Sequence, residues 1–470
     1  MQEVPPAVPE RDGRRGDGSG GTGRGGTGRH RLRRQSQRLD LTAVTDGLFD
    51  LPQPAQDSAL VRGLNPQQAE AVLYEGQALL IFAGAGSGKT RVLTHRIAHL
   101  LESGRSRPHQ ILATTFTDKA AGEMRERVQQ LVGPESRGMW VATFHSACVR
   151  ILRAHYERVG LKSTFSIYDT ADSVNLMKRV SKELDLDPKK FTPKALLGRI
   201  GRFKDELVTP AQALAATDGA SRHSIDHAAG LAYGEYQRRL AAANAVDFDD
   251  ILVKVVQLLQ ENEDVAREYR ERFRHVLVDE YQDTNGSQNQ LIRQLTSYWE
   301  LPNVFIVGDD DQSIYEFQGA RLKNLTDFYA QYLNDIELVV LRENYRSTSA
   351  ILRAAQQLIS HNELRIIHQL GDRKLDKQLL SNYEAQGVLQ VVEYPNQVQE
   401  LVGIFESLKG LHASGYPMGK VAVIYARHAQ VERLITLLER ARIPYQTRRR
   451  INVLDTQLVR KICKLLDYFR

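Results

Sequence analysis

Cysteine is almost missing from this sequence: there are two in 470 residues, Cys148 and Cys463, with no Cys-x-x-Cys pair and no Cys/His spacing. That excludes a disulfide framework and the usual zinc spacings, and it fits a reducing setting, so the cytoplasm is expected. Long apolar runs are also absent. None approaches the roughly 20 residues that span a bilayer, and the N-terminus has no apolar signal core, so no membrane association is expected. Charge of one sign does not dominate either, with 63 Lys and Arg against 57 Asp and Glu, a net +6. This mildly basic balance permits a polyanionic partner without requiring one.

Apolar residues make up 42% of the chain. That is enough to fill several cores, and at roughly 150 residues per domain the length suggests about three. Residues 1–60 are different material: nine of the 19 residues from Arg11 to Arg29 are glycine, and the first 38 hold nine arginines against four acids. Such a segment buries too little apolar surface to offset chain entropy and is expected to be disordered. It is either a phosphate-contacting Arg/Gly tail or an untethered extension.

From Leu64 the pattern alternates strand and helix. Apolar β-rich runs at Ala78–Phe82, Ile111–Phe116, Val276–Val278, Val304–Val307 and Leu338–Leu341 each enter a polar or glycine-containing loop. This is the pattern of an α/β doubly wound parallel sheet, with ligands expected at the carboxyl ends of its strands. Between the second and third runs lies a helix-rich stretch far longer than the roughly 30 residues of a βαβ crossover, so a helical subdomain is inserted, assigned to residues 149–246. Within it, Val174 to Glu206 holds nine Lys/Arg against five Asp/Glu. This is either a backbone-binding face or solvated surface. A second α/β unit is expected over residues 334–470, with strands at Val388–Tyr394 and Lys420–Tyr425. The chain ends inside a helical pattern, so that unit is expected to be partial.

The stretch "AGAGSGKTR", Ala83 to Arg91, follows an apolar strand and opens a helix. Its backbone N–H groups, from Gly86 to Thr90, can wrap a β-phosphate; Lys89 can reach the β- and γ-phosphates, and the Thr90 hydroxyl can ligate Mg²⁺. Ala83 departs from the general pattern, which has glycine first. In "HVLVDEYQD" a strand delivers Asp279 and Glu280, one carboxylate for the Mg²⁺ shell and one to orient and deprotonate an attacking water. In "VGDDDQSIYEF", Gln312 is placed to sense a γ-phosphate, and Tyr315 and Phe317 offer faces for stacking bases or for core packing. A calcium loop at Asp309–Asp311 is the weaker reading because EF-hand spacing is missing.

The ordered series "LNPQQAEAV", "AGAGSGKTR", "TTFTDKAAGEM", "ATFHS", "DFDDIL", "VDEYQDTN", "VGDDDQSIYEFQGA" and "LRENYRST" resembles the UvrD/Rep/PcrA family of superfamily-one DNA helicases, from Leu64 to the C-terminus. The family has alanine where Ala83 stands. The resemblance implies a P-loop RecA-like sheet made of residues 61–148 and 247–333, with the insertion as a DNA-binding subdomain and residues 334–470 as a partial second RecA-like domain. It implies that Ala83, Gly84, Ala85, Gly86, Ser87, Gly88, Lys89 and Thr90 cradle ATP, that Gln68 reads adenine, and that Arg91 and Tyr345 sandwich it. Thr90 and Asp279 would hold Mg²⁺, Glu280 would act as base, and Gln312 and Arg346 would contact the γ-phosphate. Phe116, Thr143, His145, Tyr315 and Phe317 would line a single-stranded DNA track.

The resemblance further implies 3′-to-5′ unwinding on single-stranded DNA and ss/ds junctions, in repair or replication alongside unspecified partner proteins. Phe317 stands where tryptophan is frequent, Gln318 where arginine is frequent, and "QTRRR" where many members have Gly-Gly. The chain is expected to match the N-terminal two-thirds of such a helicase, lacking a second insertion and two later motifs. The alternative expectation is a hydrolysis-deficient DNA- or nucleotide-binding fragment, because loss of a γ-phosphate arginine reduces turnover roughly 10³–10⁵-fold. A recombination-nuclease subunit would need a nuclease motif that is not found here.

Overall fold

The computed structural model of the chain describes residues 59–217, 224–299, 302–316, 319–332, 335–363, 365–366, 375–385, 387–447 and 457–468. The Arg/Gly-rich segment expected to be disordered lies outside them, apart from Ala59 and Leu60. In chain order, α1 (Pro66–Leu73) leads to β1 (Ala78–Ala83), α2 (Lys89–Glu102), β2 (Ile111–Thr115), α3 (Asp118–Val132), β3 (Trp140–Thr143) and α4 (Phe144–Ala154). The insertion follows as β4 (Ser166–Ile167), α5 (Thr170–Glu183), α6 (Pro193–Asp205), α7 (Pro210–Ala216), α8 (Ile225–Ala242) and β5 (Ala245–Val246). The chain then returns through α9 (Phe248–Glu261), α10 (Glu263–Arg272), β6 (His275–Val278), α11 (Gly286–Thr296), β7 (Asn303–Gly308), α12 (Lys323–Gln331) and β8 (Ile336–Leu341). Beyond it come β9 (Glu343–Asn344), α13 (Ser349–Ile359), β10 (Leu380–Ser381), α14 (Gln397–Ala413), α15 (His428–Arg440) and α16 (Gln457–Tyr468).

Six strands form one parallel sheet in the order β3-β2-β6-β7-β1-β8. Because both faces are covered, β1 is apolar and buried at every position, as central parallel strands are. Successive side chains point to opposite faces. Leu80 and Phe82 enter a core with Val278, Ile306 and the apolar faces of α4 and α9. Leu79 and Ile81 enter the other core with Val307, Val339 and the apolar faces of α1, α2 and α3. The α/β parallel-sheet fold class is therefore observed, and β8 extends the sheet past the expected boundary at 333. β3, only four residues long, is an edge strand that the sequence pattern did not separate from its helix.

The insertion has its own core, in which Met177, Val180, Leu196, Ile200, Tyr233 and Tyr236 are buried. Parallel pairing of β4 with β5 ties its entrance to its exit. Helix starts are marked by side-chain caps, as at Thr117, Thr143, Asp169, Thr192, Asp247 and Asn285, which satisfy otherwise orphaned N–H groups. Past β8, helices α14 and α15 pack through Leu408, Leu434 and Leu438.

The strands expected at Val388–Tyr394 and Lys420–Tyr425 are not formed: these residues are paired into no sheet among the described residues. Val391 is 90% and Ile424 96% exposed. Their apolar pattern is real, but a strand needs a ladder partner, and the described residues supply none for either run. No described helix is long and apolar enough to cross a membrane.

Candidate functional site

Because all six strands run the same way, their carboxyl ends share one edge, and that edge gathers the residues singled out in the sequence. In sheet order it presents Thr143 and His145 after β3, Phe116 after β2, and Asp279 and Glu280 after β6. It continues with Asp309 to Tyr315 after β7, the phosphate loop after β1, and Asn344 to Arg346 after β8.

The phosphate loop is held from several sides. Ser87 Oγ donates to Gly84 O at 2.8 Å, and Gln68 Nε2 donates to Ser87 O at 2.9 Å. Gln68 is itself fixed by a capping box with Asn65 at the start of α1. From beyond β8, Asn344 Nδ2 donates to Ala85 O at 2.6 Å, and the Tyr345 N–H donates to Gly86 O at 3.0 Å. Gly86 has φ +88°, and a Cβ there would lie 2.6 Å from Arg346 Cβ. Only glycine allows this approach without strain, and it brings the root of Arg346 onto the loop. Gly88, in the left-handed region, leads directly into Lys89 as the first residue of α2. Tyr345 stands 45% exposed, its hydroxyl accepting from Asn65 Nδ2 at 2.9 Å and donating to Glu343 at 2.6 Å. Arg91 is exposed near Gly63.

Across the loop, Lys89 Nζ donates to Glu280 Oε2 at 2.5 Å. Glu280 has a left-handed backbone, φ 49°, an uncommon conformation for a non-glycine residue and one that recurs at functional sites. Asp279 is buried, and burial, reinforced by the Glu280 charge, pushes its carboxyl up to about 7. Gln282 Nε2 donates to Glu280 Oε2 at 2.8 Å while Gln282 Oε1 accepts from the Asp309 N–H at 2.9 Å. Gln282 therefore joins the tips of β6 and β7. Gln312 Nε2 donates to Asp309 at 2.5 Å, on the β7 side of that link.

Asp309, Asp310 and Asp311 bring their carboxylates within 4.8 Å of one another. Two side chains from beyond β8 occupy this cluster. Lys377 Nζ lies 3.2 Å from Asp309 and 3.2 Å from Asp311 and also bonds Asp310, and Arg365 grips Asp311 with two bonds of 2.8 Å. An ammonium thus stands where a cation would have to bind, and it ties the loop carrying Gln312 to the segment after α13.

On the other half of the edge, the rings of Phe116 and Tyr315 lie 5.2 Å apart. His145 and Phe248 lie 5.0 Å apart, and burial lowers the pKa of His145 below its ordinary value. Phe248 is 57% exposed. Thr143 caps α4, accepting from the Ser146 N–H at 3.2 Å, so its hydroxyl already has a structural task. Phe317 and its neighbour Gln318 lie outside the described residues.

Sequence reasoning passed over Gln282, Asn344 and Phe248, although each lies inside a motif it quoted. For Phe248 the available signal was an aromatic residue heading an acidic helix start. Gln282 and Asn344 gave no such signal, because the role of a buried amide is set by partners distant in sequence. The basic stretch of the insertion divides as well. Lys204 is a fully buried ion-pair partner of Asp247 and Asp250, and Arg199 pairs with Asp226 at 2.5 Å, so neither is a free cation on the surface.

Residues 64–333 match the model of the UvrD/REP helicase N-terminal domain, and residues 339–470 match that of the UvrD-like helicase C-terminal domain. The ATP-dependent DNA helicase UvrD1 of Mycobacterium tuberculosis is 45% identical over 424 residues, covering 88% of this chain and 53% of its own length. The ATP-dependent DNA helicase PcrA of Bacillus subtilis is 39% identical over 387 residues, covering 82% and 50%, and PcrA of Staphylococcus aureus 39% over 388 residues, covering 83% and 51%. The expected correspondence to the N-terminal two-thirds is corrected on two counts: the chain spans about half the length of the curated relatives it matches, and it matches the C-terminal domain model as well. With both domain models matched in order along the chain, it belongs to the UvrD/REP helicase family.

Proposed function

We propose that this chain carries the ATP-hydrolysing, DNA-stepping machinery of a DNA helicase, acting on single-stranded DNA and ss/ds junctions with 3′-to-5′ polarity, in repair or replication. The observation that carries this reading is the loop after β7. It holds Gln312, linked through Asp309 and Gln282 to Glu280, and three residues later Tyr315, whose ring lies 5.2 Å from that of Phe116. A change at the nucleotide is thereby transmitted to the aromatic track over a few residues of one loop.

In this mechanism the backbone of residues 84–90 cradles the phosphates of ATP at the start of α2, where N–H groups and the helix dipole favour anions. Lys89 exchanges its Glu280 partner for phosphate oxygens, leaving Glu280 to orient the attacking water and accept its proton. A Mg²⁺ ion fits Thr90 and Asp279, because Asp279 is a buried carboxylate with a raised pKa and no ion-pair partner among the described residues. When bound, the ion neutralises charge on the β- and γ-phosphates. Gln312 and Arg346 contact the γ-phosphate, Arg346 from across the loop at Gly86.

Gln68, Arg91 and Tyr345 hold the adenine, the last two by stacking and cation–π contact. Phe116, Tyr315 and His145, with Phe248 beside it, stack bases, and stacking of this kind needs no particular sequence. Phe317 and Thr143 complete the proposed track, Thr143 mainly by fixing the start of α4. Residues 61–148 and 247–333, with β8, form the first motor domain, 149–246 the DNA-facing insertion, and the residues beyond β8 the second motor domain.

The test is ATP hydrolysis with and without single-stranded DNA at one fixed low salt concentration, since phosphate contacts are salt-dependent. Stimulation by DNA supports the motor. Tight binding of ATP and DNA with no stimulated turnover supports a binding-only chain, and no ATP binding at all refutes the assignment of the loop at Ala83–Thr90.

A further inference from the structure

Helix α6 of the insertion ends in two adjacent residues that grip different parts of the molecule. Lys204 has no exposed side-chain surface, and its Nζ lies 2.6 Å from Asp247 and 2.8 Å from Asp250. These two aspartates form the capping box that starts α9, and α9 packs against the sheet through Val255, Val256 and Leu259. Gln237 of α8 completes the cluster, donating to Asp250 at 2.7 Å. The end of α6 is therefore fixed to the motor core.

Asp205, the next residue, faces the loops that follow β6 and β7. One carboxylate oxygen accepts from Asn285 Nδ2 at 2.6 Å, and Asn285 is the cap of α11, five residues after Glu280. The other oxygen occupies the space that a Cβ on Gly319 would need, and the Asp205 carbonyl does the same at Gly286. Both glycines are thus matched to this one side chain and its backbone, Gly319 with φ +88°. Glu206 adds an ion pair to Arg321 at 2.8 Å, and the Arg321 N–H donates to Thr284 O at 3.1 Å. A single carboxylate from the insertion therefore touches the loop after β6, which follows Glu280, and the loop after β7, which carries Gln312 and Tyr315.

We infer that Asp205 is a positioning residue that sets the two loops relative to each other, so that the helical insertion, when DNA engages it, adjusts ATP turnover at Glu280. This rests on the helicase reading for its activity consequence, whereas the joint itself stands on geometry alone. The groups facing Asp205 are Asn285 from the loop after β6, Arg321 and Glu316 near the end of the loop after β7, Asp249 on α9, and Arg202 and Glu206 from its own segment. Burial first, then Asp249, pushes its carboxyl up to about 7 against the opposing pull of Arg321. An asparagine at this position imitates the protonated form and keeps the acceptor for Asn285.

The experiment compares the full chain with Asp205→Ala and Asp205→Asn in two measurements: amide hydrogen exchange over residues 281–288 and 309–321, and ATP turnover with and without single-stranded DNA. For Asp205→Ala, exchange should rise in both loops together and DNA stimulation should fall by about tenfold, within the range of ordinary coupling energies. DNA-free turnover should stay within about twofold of wild type. Asp205→Asn should restore both protection and most of the stimulation. If the wild-type chain shows no DNA stimulation, the helicase reading is at fault, and exchange in the two loops alone decides the joint. Unchanged exchange in Asp205→Ala overturns the inference, as does an equal loss of DNA-free and DNA-stimulated turnover in both variants.

Discussion

Replacing Glu280 with glutamine separates two roles proposed for one carboxylate. As the proposed base, Glu280 contributes by accepting a proton from water, an effect of roughly 10²–10⁴-fold, so turnover should fall by that factor. As the partner of Lys89 at 2.5 Å, it also competes with phosphate for the ammonium. A hydrogen bond to a charged group contributes about 1.5–3 kcal/mol when well shielded. The Glu280 side chain is 31% exposed and the Lys89 side chain 10%, and the amide keeps an acceptor, so the charge removed here is worth roughly 1 kcal/mol after screening. ATP should therefore bind about fivefold more tightly to Glu280→Gln than to wild type. The assay pairs nucleotide titration by fluorescence with steady-state phosphate release. Undiminished turnover would show that water is activated elsewhere, and weakened ATP binding would show that Glu280 supports the nucleotide site instead of competing for Lys89.

Gly86→Ala places a side chain at φ +88° and drives a Cβ to 2.6 Å from that of Arg346; backbone strain of roughly 1–3 kcal/mol should weaken ATP binding about fivefold or more, and wild-type affinity in nucleotide titration would contradict the packing of Arg346 on the loop. Lys204→Met leaves Asp247 and Asp250 buried without their cation, so denaturant unfolding should report a loss of about 3–5 kcal/mol; a loss under about 1 kcal/mol would mean that water reaches the pair. His275 is pushed down to about 4 from an ordinary 6.5, by burial first and then by Arg96. Between those values the unfolded chain binds more protons than the folded one, so stability should fall as pH drops from 6.5 toward 4. His275→Gln should show a shallower fall in melting temperature over that range, and an identical profile would remove His275 as a cause.

Much of the six-stranded sheet can be read from the sequence because buried parallel strands are continuous apolar runs: Ala78–Ala83 and the run at Val304–Val307 are legible for that reason. The strand-to-helix turn at Ala83–Lys89 is legible because its glycines and Lys-Thr pair sit between an apolar run and a helix pattern. Trp140–Thr143 escapes because four residues are too few to establish a period. Lys204 reads as one surface charge among nine in its stretch, yet it is wholly buried, since its carboxylate partners lie more than 40 residues away. Gln282 and Asn344 escape for the same reason: a buried amide takes its meaning from what it bonds, and sequence spacing does not record that. The runs at Val388–Tyr394 and Lys420–Tyr425 fail in the opposite direction, because strand propensity is expressed only when a neighbouring strand supplies the ladder.

In the proposed motor, nucleotide and DNA sites share one sheet edge and communicate through the loop after β7. Linkage makes such communication reciprocal, so the most direct measurement is the affinity for a fluorescent single-stranded oligonucleotide at fixed salt, without nucleotide, with ADP, and with a non-hydrolysable ATP analogue. The dissociation constant should change severalfold between nucleotide states, and Gln312→Ala should remove the difference while leaving nucleotide-free DNA affinity intact. A dissociation constant that is the same in all three states, with the nucleotide shown to be bound, would contradict it.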